Sequence, residues 1–142
     1  MFIAEAAILE RLGQHSQIPR LHSYFAENEY QYLVQEWIQG ENLVQVINNE
    51  SIFQENDVIQ ILHNLLTTLL FVHDHQIIHR DIKPENIIRR SDGTLTLVDF
   101  GAAKAFKEQS LSKTGTIIGS PEYIAPEQLR GKALFSSDLY SL

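Results

Sequence analysis

The sequence predicts an α+β fold, on three observations. Val58, Ile61, Leu62, Leu65, Leu66, Leu69 and Leu70 recur at i, i+3, i+4, i+7 spacing, so the chain from Asp57 to about His73 reads as one long amphipathic helix. Leu21 to Tyr24 and Tyr30 to Ile38 are rich in aromatic and branched residues and flank Ala26-Glu-Asn-Glu29, the pattern of an antiparallel hairpin. A second pair of strand-like runs lies on either side of Asp92-Gly93, a dipeptide that suits a tight hairpin turn.

Taken in order, the chain opens with a helix over Phe2 to Leu12. Phe2, Ile3, Ala6, Ala7, Ile8, Leu9 and Leu12 fall roughly along one stripe, Glu5, Glu10 and Arg11 lie outside it, and Gly13 is the natural stop. The second strand of the first hairpin then enters a linker at Gln39-Gly-Glu-Asn42. Trp37 and the tyrosines of this region, taken alone, read as packing residues. The long helix has competing starts: Ser51-Ile-Phe-Gln54 has the form of a capping box, and Asn56 or Asp57 would serve equally well. In the second hairpin, Ile87 to Val98, closure about Asp92-Gly93 brings the ends together, which predicts that Asn86 and Asp99 stand side by side. Lys104 to Thr116 is polar and short of apolar anchors, as in a mobile loop.

Composition narrows the function classes. With 44% hydrophobic and 20% charged residues and a net charge of -7, nothing supports a nucleic-acid or anionic-membrane surface. The absence of cysteine excludes disulfides, thiolate metal sites and a cysteine nucleophile, and makes the cytoplasm the expected compartment. Met1-Phe-Ile-Ala-Glu5 lacks the basic start of a signal peptide, and no apolar run approaches the ~20 residues that span a bilayer.

The chemistry sits in His79-Arg-Asp-Ile-Lys-Pro-Glu-Asn86, with Asp99-Phe-Gly101 beginning 13 residues after Asn86. Aiming a hydroxyl at a terminal phosphate takes a carboxylate at the hydroxyl, a cation on the moving phosphoryl group and oxygen ligands that hold magnesium against the nucleotide. Asp81, Lys83, Asn86 and Asp99 supply all of these. Spacing alone allows a competitor, a zinc site from His73, His75 and His79. Ordered with Ala125-Pro-Glu127, however, the motifs resemble the signature set of the protein kinase family. Lys83 and the run from Gly119 to Glu127 resemble its serine/threonine branch, and the phrasing resembles the bacterial, eukaryotic-like members.

That resemblance implies a two-lobed, protein-kinase-like α+β fold in truncated form, an upper lobe without its first three strands and a lower lobe without the helices after the family's F helix. Residues 1–38 would be the remnant of the upper lobe, 39–42 the hinge, and 43–142 the lower lobe with catalytic loop and activation segment. Asp81 would accept or orient the substrate hydroxyl proton, Lys83 would steady the γ-phosphate, and Asn86 with Asp99 would hold Mg2+, or Mn2+ in its place. Glu36 and Ile38 would offer backbone groups to adenine beside Gln35 at the gatekeeper position, with Glu85 and Ile88 adding nucleotide contacts. His79 would pack under the loop, and Asp138 would brace it. Glu5 corresponds to the glutamate that pairs with an upstream lysine in active kinases, and Arg80 to the arginine that receives a phosphorylated loop. Among Ser110, Ser112, Thr114 and Thr116, the two threonines are the expected phosphorylation sites. Ser120 and Pro121 correspond to the loop that receives the substrate, and the implied activity is ATP-dependent phosphorylation of protein Ser and Thr hydroxyls.

The chain departs from the family pattern at both ends. Its glycines, at 13, 40, 93, 101, 115, 119 and 131, form no Gly-x-Gly-x-x-Gly loop, and no lysine precedes Lys83 to partner Glu5. The arginine that would pair with Glu127 also has no counterpart, and a lone first hairpin would leave unpaired edges. The expectation is an internal part of a serine/threonine kinase with little activity alone. The alternatives are a truncated, pseudokinase-like binding or regulatory module without catalysis, and a relict chain without function.

Overall fold

The structure, a computed structural model, describes residues 2–49, 53–106 and 118–142. Ser110, Ser112, Thr114 and Thr116 lie outside the described residues. Helix α1 spans Phe2–Leu12 and buries Ala6, Ile8, Leu9 and Leu12. Ala7, expected on the same stripe, is exposed, because one residue is 100° of turn and carries it off the covered face. Gly13 ends the helix with φ +66°, its N–H donated to Leu9 O at 3.1 Å.

Strands β1 (Leu21–Glu27) and β2 (Tyr30–Gln35) form the first hairpin, with Phe25 opposite Tyr32 and their rings stacked at 5.1 Å. Its turn is tighter than expected: Asn28 and Glu29 both have positive φ, so the connection is two residues and the first strand continues through Glu27. The second strand stops at Gln35 rather than Ile38. Trp37 is not a packing residue, being 86% exposed, and Tyr24, Tyr30 and Tyr32 are also exposed. The cause is that β1 and β2 pair only with each other among the described residues.

Strands β3 (Glu41–Asn42), β5 (Ile87–Arg89) and β6 (Leu95–Leu97) form an antiparallel sheet in the order β3-β5-β6, while β4 (Ile77–Ile78) pairs with β7 (Lys104–Ala105). The sequence reading missed helix α2 (Leu43–Asn49). Asn42 and Gln45 cap it reciprocally: the Gln45 N–H donates to Asn42 Oδ1 at 3.0 Å and the Asn42 N–H to Gln45 Oε1 at 2.9 Å. Helix α3 spans Glu55–Asp74, starting two residues before the Asp57 expected from the sequence, with the Gln54 N–H donated to Asp57 Oδ2 at 3.2 Å.

Only part of the apolar stripe of α3 is covered. Leu65, Leu69 and Val72 are buried, whereas Val58, Leu62, Leu66 and Leu70 are exposed. Leu65, Leu69 and Val72 join Leu9, Leu12, Ile18, Ile77, Leu95, Leu97 and Phe100 in one core. Full burial of such a side chain contributes roughly 1.5–3 kcal/mol, so this cluster fixes β4 and β6, the strands that lead into residues 79–86 and Asp99. Two short helices, α4 (Pro126–Leu129) and α5 (Phe135–Ser141), close the described chain.

Candidate active site

The loop from His79 to Asn86 leaves β4 with an unusual backbone, since Arg80 has φ +69°. A non-glycine residue there is strained, and the strain persists only where surrounding contacts enforce it. Asp138 on α5, 1% exposed, supplies them: its Oδ2 accepts the His79 N–H and its Oδ1 the Arg80 N–H, each at 2.9 Å. His73 at the end of α3 adds Nε2 to Asp138 Oδ2 at 2.8 Å. The Asp81 N–H donates to His79 Nδ1 at 3.2 Å, so that nitrogen is unprotonated and Nε2–H donates to Val98 O at 3.1 Å. The fully buried His79 ring also meets Phe100 edge-on at 4.8 Å.

This framework presents Asp81. Its Oδ1 accepts the Ser120 hydroxyl at 2.9 Å, and Lys83 Nζ donates to the same Ser120 oxygen at 2.8 Å while standing 3.6 Å from Asp81 Oδ2. Asn86 Nδ2 donates to Asp81 O at 2.9 Å and Oδ2 at 3.2 Å. The second hairpin closes as its turn chemistry predicts, Ile87 opposite Leu97, and the Val98 N–H reaches Asn86 O at 2.8 Å. Asn86 therefore lies beside the strand end that carries Asp99.

Asp99 also has positive φ, +59°, and its Oδ1 accepts the Gly101 N–H at 3.2 Å. Glu5 of α1 comes to the same place: a Cβ on Gly101 would lie 3.1 Å from Asp99 Oδ1 and 3.6 Å from Glu5 Oε2. Burial, and then the Asp99 charge, push the Glu5 carboxyl above its ordinary range. Two carboxyls thus approach Gly101 together.

The remaining expected residues are dispersed around this centre. The Glu36 N–H donates to Arg20 O at 2.8 Å, and its carboxylate accepts the Arg20 N–H at 3.2 Å and pairs with Arg90 at 3.3 Å. Ile38 is buried, Ile88 is half-buried opposite Asn42, and Glu85 is exposed in a 3₁₀ turn at Pro84–Asn86. Pro121 is exposed next to Ser120. Arg80 Nε donates to Ala102 O at 2.6 Å, and burial lowers the guanidinium's pKa against the opposing pull of Asp138. Thr114 and Thr116 are outside the described residues.

The zinc alternative fails on geometry. His73 is on Asp138, His75 Nδ1 is on Phe71 O at 2.8 Å, and His79 is on Val98 O, and no group of three metal-binding side chains occurs among the described residues. Glu127 is held by the Ser137 hydroxyl at 2.6 Å, which keeps its carboxyl below the usual range. Sequence reasoning missed Gln128, 3% exposed, whose Nε2 donates to Arg80 O at 2.6 Å and to Ile118 O. Its only sequence signal was its place directly after Ala125-Pro-Glu127. Among the described residues no helix is long and apolar enough to cross a membrane.

Across residues 1–142 the chain matches the family described as the protein kinase domain. It is 46% identical over 148 residues to serine/threonine-protein kinase PknA of Nostoc sp., covering 99% of this chain and 26% of that protein. It is 47% identical over 148 residues to serine/threonine-protein kinase C of Synechocystis sp., with 99% and 28% covered. It is 42% identical over 142 residues to the probable serine/threonine-protein kinase PknB of Lactococcus lactis, with 99% and 22% covered. The chain spans about a quarter of the length of these curated relatives.

Proposed function

Because the chain belongs to the protein kinase family, we propose that it carries the catalytic segment of a serine/threonine protein kinase, which moves the γ-phosphoryl group of ATP onto Ser and Thr hydroxyls of protein substrates. The observation that carries this reading is the Ser120 hydroxyl, held between Asp81 Oδ1 at 2.9 Å and Lys83 Nζ at 2.8 Å. An aliphatic alcohol there has a proton acceptor on one side and a cation on the other.

A substrate hydroxyl in the same surroundings gives its proton to Asp81 as its oxygen bonds to phosphorus, and ADP departs with the electrons of the broken bond. Lys83 offsets the negative charge of the transferring group. The donor chemistry beside it fits magnesium: Asn86 commits its nitrogen to Asp81, so its carbonyl oxygen is the ligand atom, and Asp99 supplies a carboxylate. Bound Mg2+ and ATP would supply the electrophilic phosphorus and the charge that steadies the leaving group. Glu36 has given its N–H to Arg20, which leaves its carbonyl for adenine, with Ile38, Glu85 and Ile88 as the further nucleotide contacts. Residues 1–38, 39–42 and 43–142 then belong to upper lobe, hinge and lower lobe. Arg80 receives a phosphate on Thr114 or Thr116, and Ser120 with Pro121 receives the substrate chain.

One observation favours a second reading, a binding or regulatory module without catalysis: Glu5, its carboxyl raised by burial and by the Asp99 charge, stands near Asp99 with no cation between them among the described residues. Phosphate transfer from labelled Mg-ATP to a Ser/Thr peptide library, measured on a version of the chain extended to a full kinase domain, separates the two. The kinase reading expects transfer that Asp81→Ala and Asp99→Ala each abolish. Transfer that survives both changes overturns it, and saturable Mg-ATP binding without transfer selects the second reading.

A further inference from the structure

Arg80 is gripped at three points. Its N–H is on Asp138 Oδ1, its guanidinium Nε on Ala102 O, and its carbonyl on Gln128 Nε2. The third grip comes from an element that the proposed chemistry does not use. Gln128 sits on α4, 48 residues from Arg80 in sequence, with its carboxamide buried. Both groups facing Nε2, Arg80 O and Ile118 O, are acceptors, so the amide nitrogen must point at them and cannot exchange places with Oε1. Oε1 is buried without a hydrogen-bond partner in the described structure. Leaving such an atom unpaired is unfavourable, so the orientation is held by what Nε2 does.

Gly119 seals the junction. Its φ is +131°, and a Cβ there would lie 2.8 Å from Gln128 Nε2 and 3.1 Å from Arg80 O. The backbone of residues 118–119 therefore packs directly on the Gln128–Arg80 contact, one residue before the Ser120 that touches Asp81. We infer that Gln128 is a positioning residue: its amide joins the 118–120 stretch to the strained Arg80 peptide, so that the placement of one sets the placement of Asp81 on the other. This rests on the kinase reading for its consequence in catalysis, but the mechanical coupling stands on the geometry alone.

The test is Gln128→Glu, which keeps the shape and turns a carboxylate oxygen toward two carbonyl oxygens. Amide hydrogen exchange is followed by mass spectrometry beside steady-state phosphate transfer. Loss of the two hydrogen bonds should speed exchange of peptides covering 78–82 and 118–124 together, by about tenfold or more, with peptides of α1 and α3 unchanged. In the transfer assay kcat should fall about tenfold with little change in KM for ATP. Gln128→Met, which retains the volume without the donor, gives the same pattern and serves if the glutamate variant does not fold. Faster exchange confined to 118–131, or no change in either peptide, overturns the coupling. A wild-type protein without transfer activity would instead count against the kinase reading, and the exchange comparison would still decide the role of Gln128.

Discussion

Ser120 Oγ donates to Asp81 Oδ1 at 2.9 Å and accepts from Lys83 Nζ at 2.8 Å, so one hydroxyl separates an acid and a base that stand 3.6 Å apart. Removing it should let Asp81 and Lys83 pair directly and turn Asp81 away from an incoming hydroxyl. Ser120→Ala is expected to lower kcat about tenfold, against a thousandfold or more for Asp81→Ala, with stability changed by less than about 1 kcal/mol. Steady-state kinetics with thermal melts check this, and a Ser120→Ala protein as fast as wild type would remove the hydroxyl from the argument.

Glu5 gives a pH-dependent prediction. Burial and the Asp99 charge hold its folded pKa above the ordinary 4.5, so the folded state keeps the proton longer than the unfolded chain does. For a carboxyl shifted upward, the folded state loses stability as pH rises from the unfolded pKa through the folded one. Glu5→Gln should therefore melt at a higher temperature than wild type at pH 7, with the difference shrinking below about pH 4.5. Calorimetry across that range measures it. A variant less stable than wild type at pH 7 would mean that the ionised carboxylate has a stabilising partner.

Asp138 collects His73 and two backbone N–H groups in a site 1% exposed. Asp138→Ala strands those donors and releases the left-handed Arg80 peptide, an expected loss of about 3–5 kcal/mol. His73→Ala removes one of the three hydrogen bonds and should lose about 1–2 kcal/mol. Urea unfolding gives both, and equal values would mean that the backbone contacts contribute nothing.

Metal dependence follows from the donor set. If Asn86 and Asp99 hold magnesium with the nucleotide, Mg-ATP should raise the melting temperature of the wild type more than ATP with chelator does. Asn86→Ala and Asp99→Ala should each erase that difference. A magnesium-dependent rise that persists in both variants would place the metal elsewhere.

The sequence reading of the site rested on local signals. The Asp92-Gly93 turn brought Asn86 beside the strand leading to Asp99, and the register Ile87 to Leu97 realises that closure. The same reasoning failed where packing decides. The stripe from Val58 to Leu70 was visible as periodicity, but which of its leucines are covered depends on what lies above the helix, and Leu62, Leu66 and Leu70 remain exposed. Trp37 has the composition of a core residue and is 86% exposed because no further strand covers its neighbourhood among the described residues. Helix α2 was overlooked although Asn42 and Gln45, three apart, form its reciprocal cap.

By itself, then, the sequence determined the α+β class, helices α1 and α3 with the two hairpins, and the choice of Asp81, Lys83, Asn86 and Asp99 as candidate site residues, because helix period, turn dipeptides and motif spacing act over a few residues. Only the tertiary structure decided that Ser120 would meet Asp81, that Glu5 would stand near Asp99, and that His73, Asp138 and Gln128 would hold the Arg80 peptide. Those contacts join residues 39 to 65 apart where a hydrogen-bond distance is given, and their direction is set by how a buried core orients short helices and loops. No local pattern encodes that orientation, since the same side chains on a differently packed face would meet water instead.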